Sequence, residues 1–450
     1  MNIYKFPLLA FILLLFACST DGVPLETATD AEKETIEETT EDSTNDSPNI
    51  LLIIADDMGL DASPGYNIGS IKPNMPNLQN MISSGVTFNN VWSYPTCTPT
   101  RASMLTGKFG FRTNVLKVDD VLATSETSIQ RYLDENTNET YSHAVIGKWH
   151  LSKDSNHPTN MGIDYYAGFL NGSVQNYSSW SLVENGNTST STEYTTTKFT
   201  DLAIDWVDDQ TQPWFLWLAY NAPHTPFHLP PTNLHSQGYL PDDQASIDAN
   251  PTPYYMAALE AMDSEIGRFL NSMSQEEKDN TLIIFIGDNG TPNQVKQAYP
   301  NRRVKGTVYQ GGVNVPMIVS GALVSRMNET EDALVGTTDL FATVADIVGV
   351  GVDEINDSKS FKGLLSNGAT ASREFAYTEI GNDTGGSDYT IRNTTHKYIL
   401  FADDTEALFD LSLDALEDVN LLDANQLPLS EVNNLEKEKL IYTLEIIRNQ

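Results

Sequence analysis

A chain of 450 residues is long enough for one large or roughly two to three ordinary domains, and about 70–75% of its unfolded surface can be buried without cross-links. Its 61 Asp and Glu against 26 Lys and Arg give a formal charge of −35, which excludes a general nucleic-acid binder and disfavours adsorption to anionic lipid, since both need a basic surface. Only two cysteines, Cys18 and Cys97, are present, so a disulfide framework is excluded as well.

Met1 to Cys18 reads as a bacterial export signal. Lys5 supplies a short positive region, and the apolar run Phe6 to Ala17 falls short of the about 20 residues that a spanning helix needs. Small Ala17 followed by Cys18 resembles a lipoprotein signal, in which the cysteine is lipidated and becomes the first residue. An ordinary secretory peptide is the alternative. The expected location is outside the cytoplasm, lipid-anchored to a bacterial membrane, the outer one on its periplasmic or exterior side. Residues 19–47 are rich in Thr, Glu and Asp, hold one Lys33 and have few large apolar side chains, so they read as a disordered acidic tether. If Cys18 carries lipid, Cys97 is the one free thiol of an exported protein.

Asn49 to Ala55 (NILLIIA) is a continuous apolar run that fits a strand buried on both faces of a parallel sheet. Thr281 to Ile286 is a second such run, and Tyr141 to Gly147, Trp214 to Tyr220 and Val315 to Ser320 are shorter ones. Tyr254 to Met273 carries Met256, Leu259, Met262, Ile266, Phe269 and Met273 at helical spacing. Strands alternating with helices predict an α/β fold, a large mixed and mostly parallel sheet sandwiched by helices. Near Gly351 the pattern changes. Tyr389 to Phe401 and Leu408 to Leu411 read as short antiparallel strands and Glu431 to Arg448 as a closing helix. The expected division is a catalytic domain over 48–355 and a smaller C-terminal α+β subdomain with an antiparallel sheet over 356–450.

Polar groups collect past the carboxyl ends of strands in such sheets. The first run ends at Asp56-Asp57 and the second at Gly287-Asp288-Asn289. Three carboxylates and an amide are hard oxygen ligands that suit Ca²⁺ or Mg²⁺ rather than zinc or a soft metal. Each pair alone would read as a helix cap or turn; both following strands points to a metal.

Tyr94 to Gly107 (YPTCTPTRASMLTG) contains Cys97-x-Pro99-x-Arg101 followed by Ala102-Ser103 and Thr106-Gly107. This stretch resembles the maturation signature of type I sulfatases, within the alkaline phosphatase-like superfamily. Gly147-Lys148-Trp149-His150, Pro223-His224-Thr225-Pro226, Gly287-Asp288-Asn289-Gly290, Lys305-Gly306 and the Leu408 to Leu421 segment are similar to further motifs of that family. Two positions depart from its pattern: Gln310 stands where Glu is usual and Asn314 where Arg is usual.

The resemblance implies that Cys97 is oxidised to formylglycine (3-oxoalanine) by a formylglycine-generating or anaerobic sulfatase-maturating enzyme. It implies one Ca²⁺ held by Asp56, Asp57, Asp288, Asn289 and modified Cys97. Arg101 and Lys148 would stabilise the formylglycine oxygen, His150 would act as base, and His224 and Lys305 would contact the sulfate, His224 as acid to the leaving alcohol. The implied activity is sulfate removal from a sulfated poly- or oligosaccharide. The hydrated aldehyde makes sense there, because a serine nucleophile would end as a stable sulfate ester. The alternatives are a formylglycine-dependent phosphodiesterase or phosphonate monoester hydrolase, a non-catalytic sulfated-glycan binder, and a Cys–His protease that leaves Asp288-Asn289 unexplained.

Other residues read more plainly. His143, His157, His235 and His396 fit no motif. His224 and His228 are four apart, but Pro226 between them makes a zinc-binding helix poor. Trp149 reads as core, and Asn301-Arg302-Arg303 equally as a surface loop or a basic patch. Specificity is expected in loops such as Asp154 to Thr197.

Overall fold

The computed structural model describes residues 47–351, 354–367 and 373–449. The export signal, Cys18 and the tether up to residue 46 lie outside the described residues.

Ten strands build one sheet. They are β1 (Asn49–Ala55), β2 (Gly85–Trp92), β3 (Ser142–Lys148), β4 (Tyr165–Phe169), β5 (Trp180–Glu184), β6 (Asn187–Ser191), β7 (Trp214–Ala219), β8 (Thr281–Gly287), β9 (Met317–Gly321) and β10 (Glu329–Gly336). Their order is β10-β2-β9-β8-β1-β7-β3-β4-β5-β6. The middle of the sheet, β8-β1-β7-β3-β4, is parallel throughout. Antiparallel pairing enters at β9, which joins β8 to β2, and at the β5–β6 edge hairpin.

The apolar runs become strands because both sheet faces are covered. In β1, Ile50, Leu52 and Ile54 point into one core, which also contains Leu105 of the helix Cys97–Thr106 and Phe341 of the helix Asp339–Val348. Leu51, Ile53 and Ala55 point into the other, with Phe199 of the helix Thr195–Asp208 and Leu259 of the helix Thr252–Ser272. Each aliphatic side chain so buried contributes about 1.5–3 kcal/mol, and a strand with two such faces needs no polar alternation.

Beyond a two-residue hairpin of β11 (Glu354–Ile355) and β12 (Ser358–Lys359), a four-stranded antiparallel sheet follows. It runs in order from β13 (Ala376–Gly381) through β14 (Ser387–Arg392) and β15 (His396–Leu400) to β16 (Glu406–Asp410). Leu440 and Leu444 of the closing helix Glu431–Asn449 share a core with Ile391 and Leu408 of this sheet. From its other face, Ile399 and Phe409 pack against Val308 of the long β8–β9 connection. The described residues belong to one compact unit.

Candidate active site

Parallel register brings the chemistry to one edge. Ala55 pairs with Gly287, so Asp56-Asp57 and Asp288-Asn289 leave adjacent strands side by side, and Asp288 N donates to Ala55 O at 3.1 Å. Lys148 is the last residue of β3 and His150 lies two beyond it. His224 follows β7, Cys97 opens the helix after β2, and Lys305 sits in the β8–β9 connection. Asp56, Asp57, Arg101, Lys148, Asp288 and Asn289 are all buried, a concentration of charge that must pair internally.

It does. Lys148 Nζ donates to Asp56 Oδ2 at 2.6 Å, and Arg101 Nη2 donates to Asp288 Oδ2 at 2.9 Å. Arg101 Nη1 also donates to Lys148 O at 2.8 Å, joining the two cations to one frame. Asp57 N donates to Asp288 Oδ1 at 3.1 Å, and Asn289 Nδ2 to Asp57 Oδ1 at 2.7 Å. Lys305 Nζ lies 2.6 Å from Asp57 Oδ2 and 2.5 Å from Oδ1, and His224 Nε2 is 3.7 Å from Oδ2. Burial alone would raise the Asp57 pKa; Lys305, His224 and Lys148 outweigh it and hold the carboxyl well below its ordinary range. At Asp288 burial and Asp56 prevail over Arg101, and the pKa is pushed up to about 6.

Cys97 and Arg101 are four apart, so one helix face presents both. The helix start is held by Thr100 Oγ1, which accepts from Tyr94 N at 3.1 Å and donates to Thr96 O at 3.0 Å. Burial pushes the Cys97 thiol up, but Lys148 and Lys305 outweigh it and bring it well below the ordinary thiol value. A first-turn position adds the positive end of the helix dipole.

The ligand atoms of Asp56, Asp57, Cys97 and His224 all lie within 4.8 Å of one another. Among the described residues, Asp56 Oδ1 and Asn289 Oδ1 are buried without a hydrogen-bond partner. An orphaned carboxylate oxygen and an orphaned amide oxygen beside the Asp57 carboxylate fit a hard divalent cation. Asp288 contributes differently: Arg101 and the Asp57 amide engage its two oxygens.

The profile described as Sulfatase matches residues 48–350. The chain belongs to the sulfatase family. It is 27% identical over 372 residues to the uncharacterized sulfatase YdeN of Escherichia coli, covering 68% of this chain and 63% of YdeN. To the N-acetylgalactosamine-6-sulfatase of Homo sapiens it is 27% identical over 340 residues, covering 67% of this chain and 62% of that protein. The chain thus spans less than two thirds of the length of both relatives. Among solved structures, Ps i-CgsB superposes with a TM-score of 0.73 at 25% identity, covering 87% of this chain and 92% of that one. The sulfatase fold is therefore shared, with its large mixed sheet and small C-terminal antiparallel sheet.

Two features of this sulfatase escape the motifs. Asp119 Oδ1 meets His150 Nε2 at 3.1 Å, while Lys153 Nζ donates to Asp119 Oδ2 at 3.0 Å. Asp119 N donates to Thr98 Oγ1, which ties this loop to the Cys97 helix. Gly172 packs on the same histidine: a Cβ there would stand 2.6 Å from His150 Cε1. The only sequence signal was an acidic residue at a loop position, here at φ 66°.

The second feature braces the chain on either side of Lys305. Arg303 Nη1 donates to Glu417 O, and its guanidinium lies over the Tyr309 ring at 4.6 Å, so Arg303 packs inward rather than forming a basic patch. Glu417 pairs with Lys397 at 2.6 Å, and its Oε2 accepts from Gln310 N at 2.6 Å. His228 stacks on Tyr177 with centroids 3.7 Å apart and takes no part in the metal cluster. Trp149 is buried and donates to His157 Nδ1.

Proposed function

We propose that the chain is a sulfuric ester hydrolase that removes sulfate from a sulfated carbohydrate. One observation carries the reading: Asp56, Asp57, Cys97 and His224 converge within 4.8 Å at the residue where the maturation signature begins. The name of the N-acetylgalactosamine-6-sulfatase relative supports a sulfated sugar as substrate.

On this reading Cys97 is the formylglycine position, and Ca²⁺ is held by Asp56, Asp57, Asp288, Asn289 and modified Cys97. Bound there, the two groups supply a covalent nucleophile with a built-in release step and withdraw charge from the sulfate oxygens. The chain's own residues do the rest. Lys148, paired with Asp56 Oδ2 at 2.6 Å, and Arg101, paired with Asp288 Oδ2 at 2.9 Å, stabilise negative charge at position 97. Lys305 adds a cation for the sulfate. His224, with Nε2 3.7 Å from Asp57 Oδ2, is placed to protonate the bridging oxygen of the leaving alcohol. His150, with Nε2 on Asp119 and Nδ1 buried without a partner among the described residues, is oriented to accept the proton in the release step.

The same reading takes Met1 to Cys18 as a lipoprotein export signal and a formylglycine-generating or anaerobic maturating enzyme as the partner that modifies Cys97. The test is protein produced with such an enzyme. Mass spectrometry of the peptide spanning Cys97 should show the thiol replaced by an aldehyde oxygen, and an aryl sulfate should be hydrolysed. Cys97→Ala should abolish turnover and leave unfolding unchanged. Undiminished turnover in Cys97→Ala, or an aryl phosphodiester rate far above the aryl sulfate rate, would overturn the assignment.

A further inference from the structure

The carboxyl edge of the large sheet does not end at the candidate site. β3 delivers Lys148 and His150, β4 runs parallel beside it, and the β5–β6 hairpin closes the sheet on that side. Two adjoining cavities follow this line. The first, of about 460 Å³, holds Cys97, His150, His224 and Lys305. The second, of about 610 Å³, shares Lys153, Asn171, Ser173 and Gln175 with it and reaches Ser181 and Thr188 on the hairpin. Each falls in the range of about 300–1,000 Å³ that holds a small-molecule ligand, so one sulfated sugar unit in the first leaves the second free.

The walls of the second cavity have a definite chemistry. Its charged side chains among the described residues are Lys153 and Asp154, of opposite sign, and Lys153 already donates to Asp119 Oδ2 at 3.0 Å. The other polar walls are uncharged hydroxyls and amides, over an apolar floor that includes Phe169, Leu170 and Trp180. Hydroxyl and amide groups both donate and accept, as sugar hydroxyls do. A second sulfate or a carboxylate would face Asp154 with no uncommitted cation among these walls, and such like-charge contact disfavours binding.

Resting on the sulfate-ester reading above, we propose that this second cavity is a subsite for an uncharged sugar unit linked to the sulfated one. The substrate class is then an oligo- or polysaccharide in which the unit next to the scissile sulfate bears neither sulfate nor carboxylate.

The test uses the mature full chain, an aryl sulfate, and monosaccharide and tetrasaccharide pools from sulfated galactans and from sulfated uronate-containing glycans, with released sulfate measured. Neutral-neighbour tetrasaccharides should react about tenfold faster than the monosaccharides of the same polymer, the gain that one or two new hydrogen bonds supply. They should also outpace the uronate-containing tetrasaccharides. Ser181→Trp and Thr188→Trp, at exposed hairpin positions, should fill the cavity, remove that advantage and leave aryl sulfate turnover unchanged. Equal rates on monosaccharide and tetrasaccharide, an advantage that survives both variants, a preference for charged neighbours, or aryl sulfate turnover with no carbohydrate turnover would each overturn the subsite. Failure of the mature protein on aryl sulfate and every pool would instead overturn the hydrolase reading.

Discussion

Lys397→Met removes one half of a charge pair whose other half, Glu417, accepts from the Gln310 amide of the β8–β9 connection that carries Lys305. Lys397 Nζ and Glu417 Oε1 stand 2.6 Å apart with side chains 0% and 1% exposed. The Lys397 ammonium also lies over the Trp92 ring at 5.1 Å. Met fills similar space but leaves the Glu417 carboxylate buried and unpaired, a loss of about 3–5 kcal/mol. Adding Glu417→Gln removes the second charge, and the double variant should recover to within about 1 kcal/mol of the parent. The coupling between the two positions is then at least about 2 kcal/mol, read from urea unfolding of the parent, both single variants and the double variant. The pH dependence has a fixed sign. Burial pushes Lys397 down to about 8 from its ordinary 10.5, against the pull of Glu417. Between those values the unfolded chain binds the extra proton, so the parent should gain stability relative to Lys397→Met as pH rises through that window. Turnover should respond too, because Glu417 O holds Arg303 and Glu417 Oε2 holds the Gln310 amide, on either side of Lys305 in the chain. A loss of about tenfold in kcat is expected from misplacing a charged group by a fraction of an ångström. If Lys397→Met costs under about 1 kcal/mol, or the double variant is no more stable than the single one, the pair does not carry buried charge in the way argued.

Asp119→Asn keeps the side-chain shape but removes the charge that faces His150, and should lower kcat on an aryl sulfate about 10–100-fold with little change in KM, measured by steady-state kinetics. Gly172→Ala would put a methyl group 2.6 Å from His150 Cε1 and 2.7 Å from Nε2, so kcat should fall similarly while the urea midpoint moves little. Chelation should abolish turnover and lower the melting temperature, with Ca²⁺ restoring both; at a hundredfold excess over Kd the restored stability is about 2.7 kcal/mol. A chelated sample that keeps its full rate would exclude a role for the cation.

The parts of this structure that sequence makes legible are those where one physical rule acts locally. β1, β7 and β8 are continuous apolar runs because both their faces are covered, and Asp56, Asp57, Asp288 and Asn289 stand out because polar residues end such runs abruptly. The helix read as Tyr254 to Met273 forms as Thr252–Ser272, and the closing helix read as Glu431 to Arg448 as Glu431–Asn449. β6 (NTSTS) carries no such mark: it is polar and exposed at four of its five positions, and it exists because it pairs with β5. β2 is interrupted by Asn89-Asn90, and β13 packs in the core of a second sheet whose partners come later in the chain. Lys148, His150, His224 and Lys305 have ordinary local surroundings, so only the motif resemblance singled them out. Asp119 matched no motif, since its importance arises from a contact 31 residues away.

Gln310 shows how a departure from a family pattern acquires meaning only in three dimensions. Its Oε1 accepts from Trp92 Nε1 at 3.0 Å, and its backbone amide donates to Glu417 Oε2. Trp92 also lies under the Lys397 ammonium. A glutamate at 310 would therefore add a second carboxylate to a buried cluster in which Lys397 is the partner of Glu417. Lys397 is held by Glu417, and Arg392, the other buried cation at Trp92, gives its guanidinium to Asn393 O, Asn90 Oδ1 and Thr394 O, so a carboxylate at 310 would have to break one of these contacts or stay unpaired at a cost of several kcal/mol. The neutral amide keeps the hydrogen bond to Trp92 and leaves Lys397 to Glu417. The substitution and the buried pair are thus two halves of one solution, in which the Lys305 loop is anchored by Glu417 instead of by a charge at position 310.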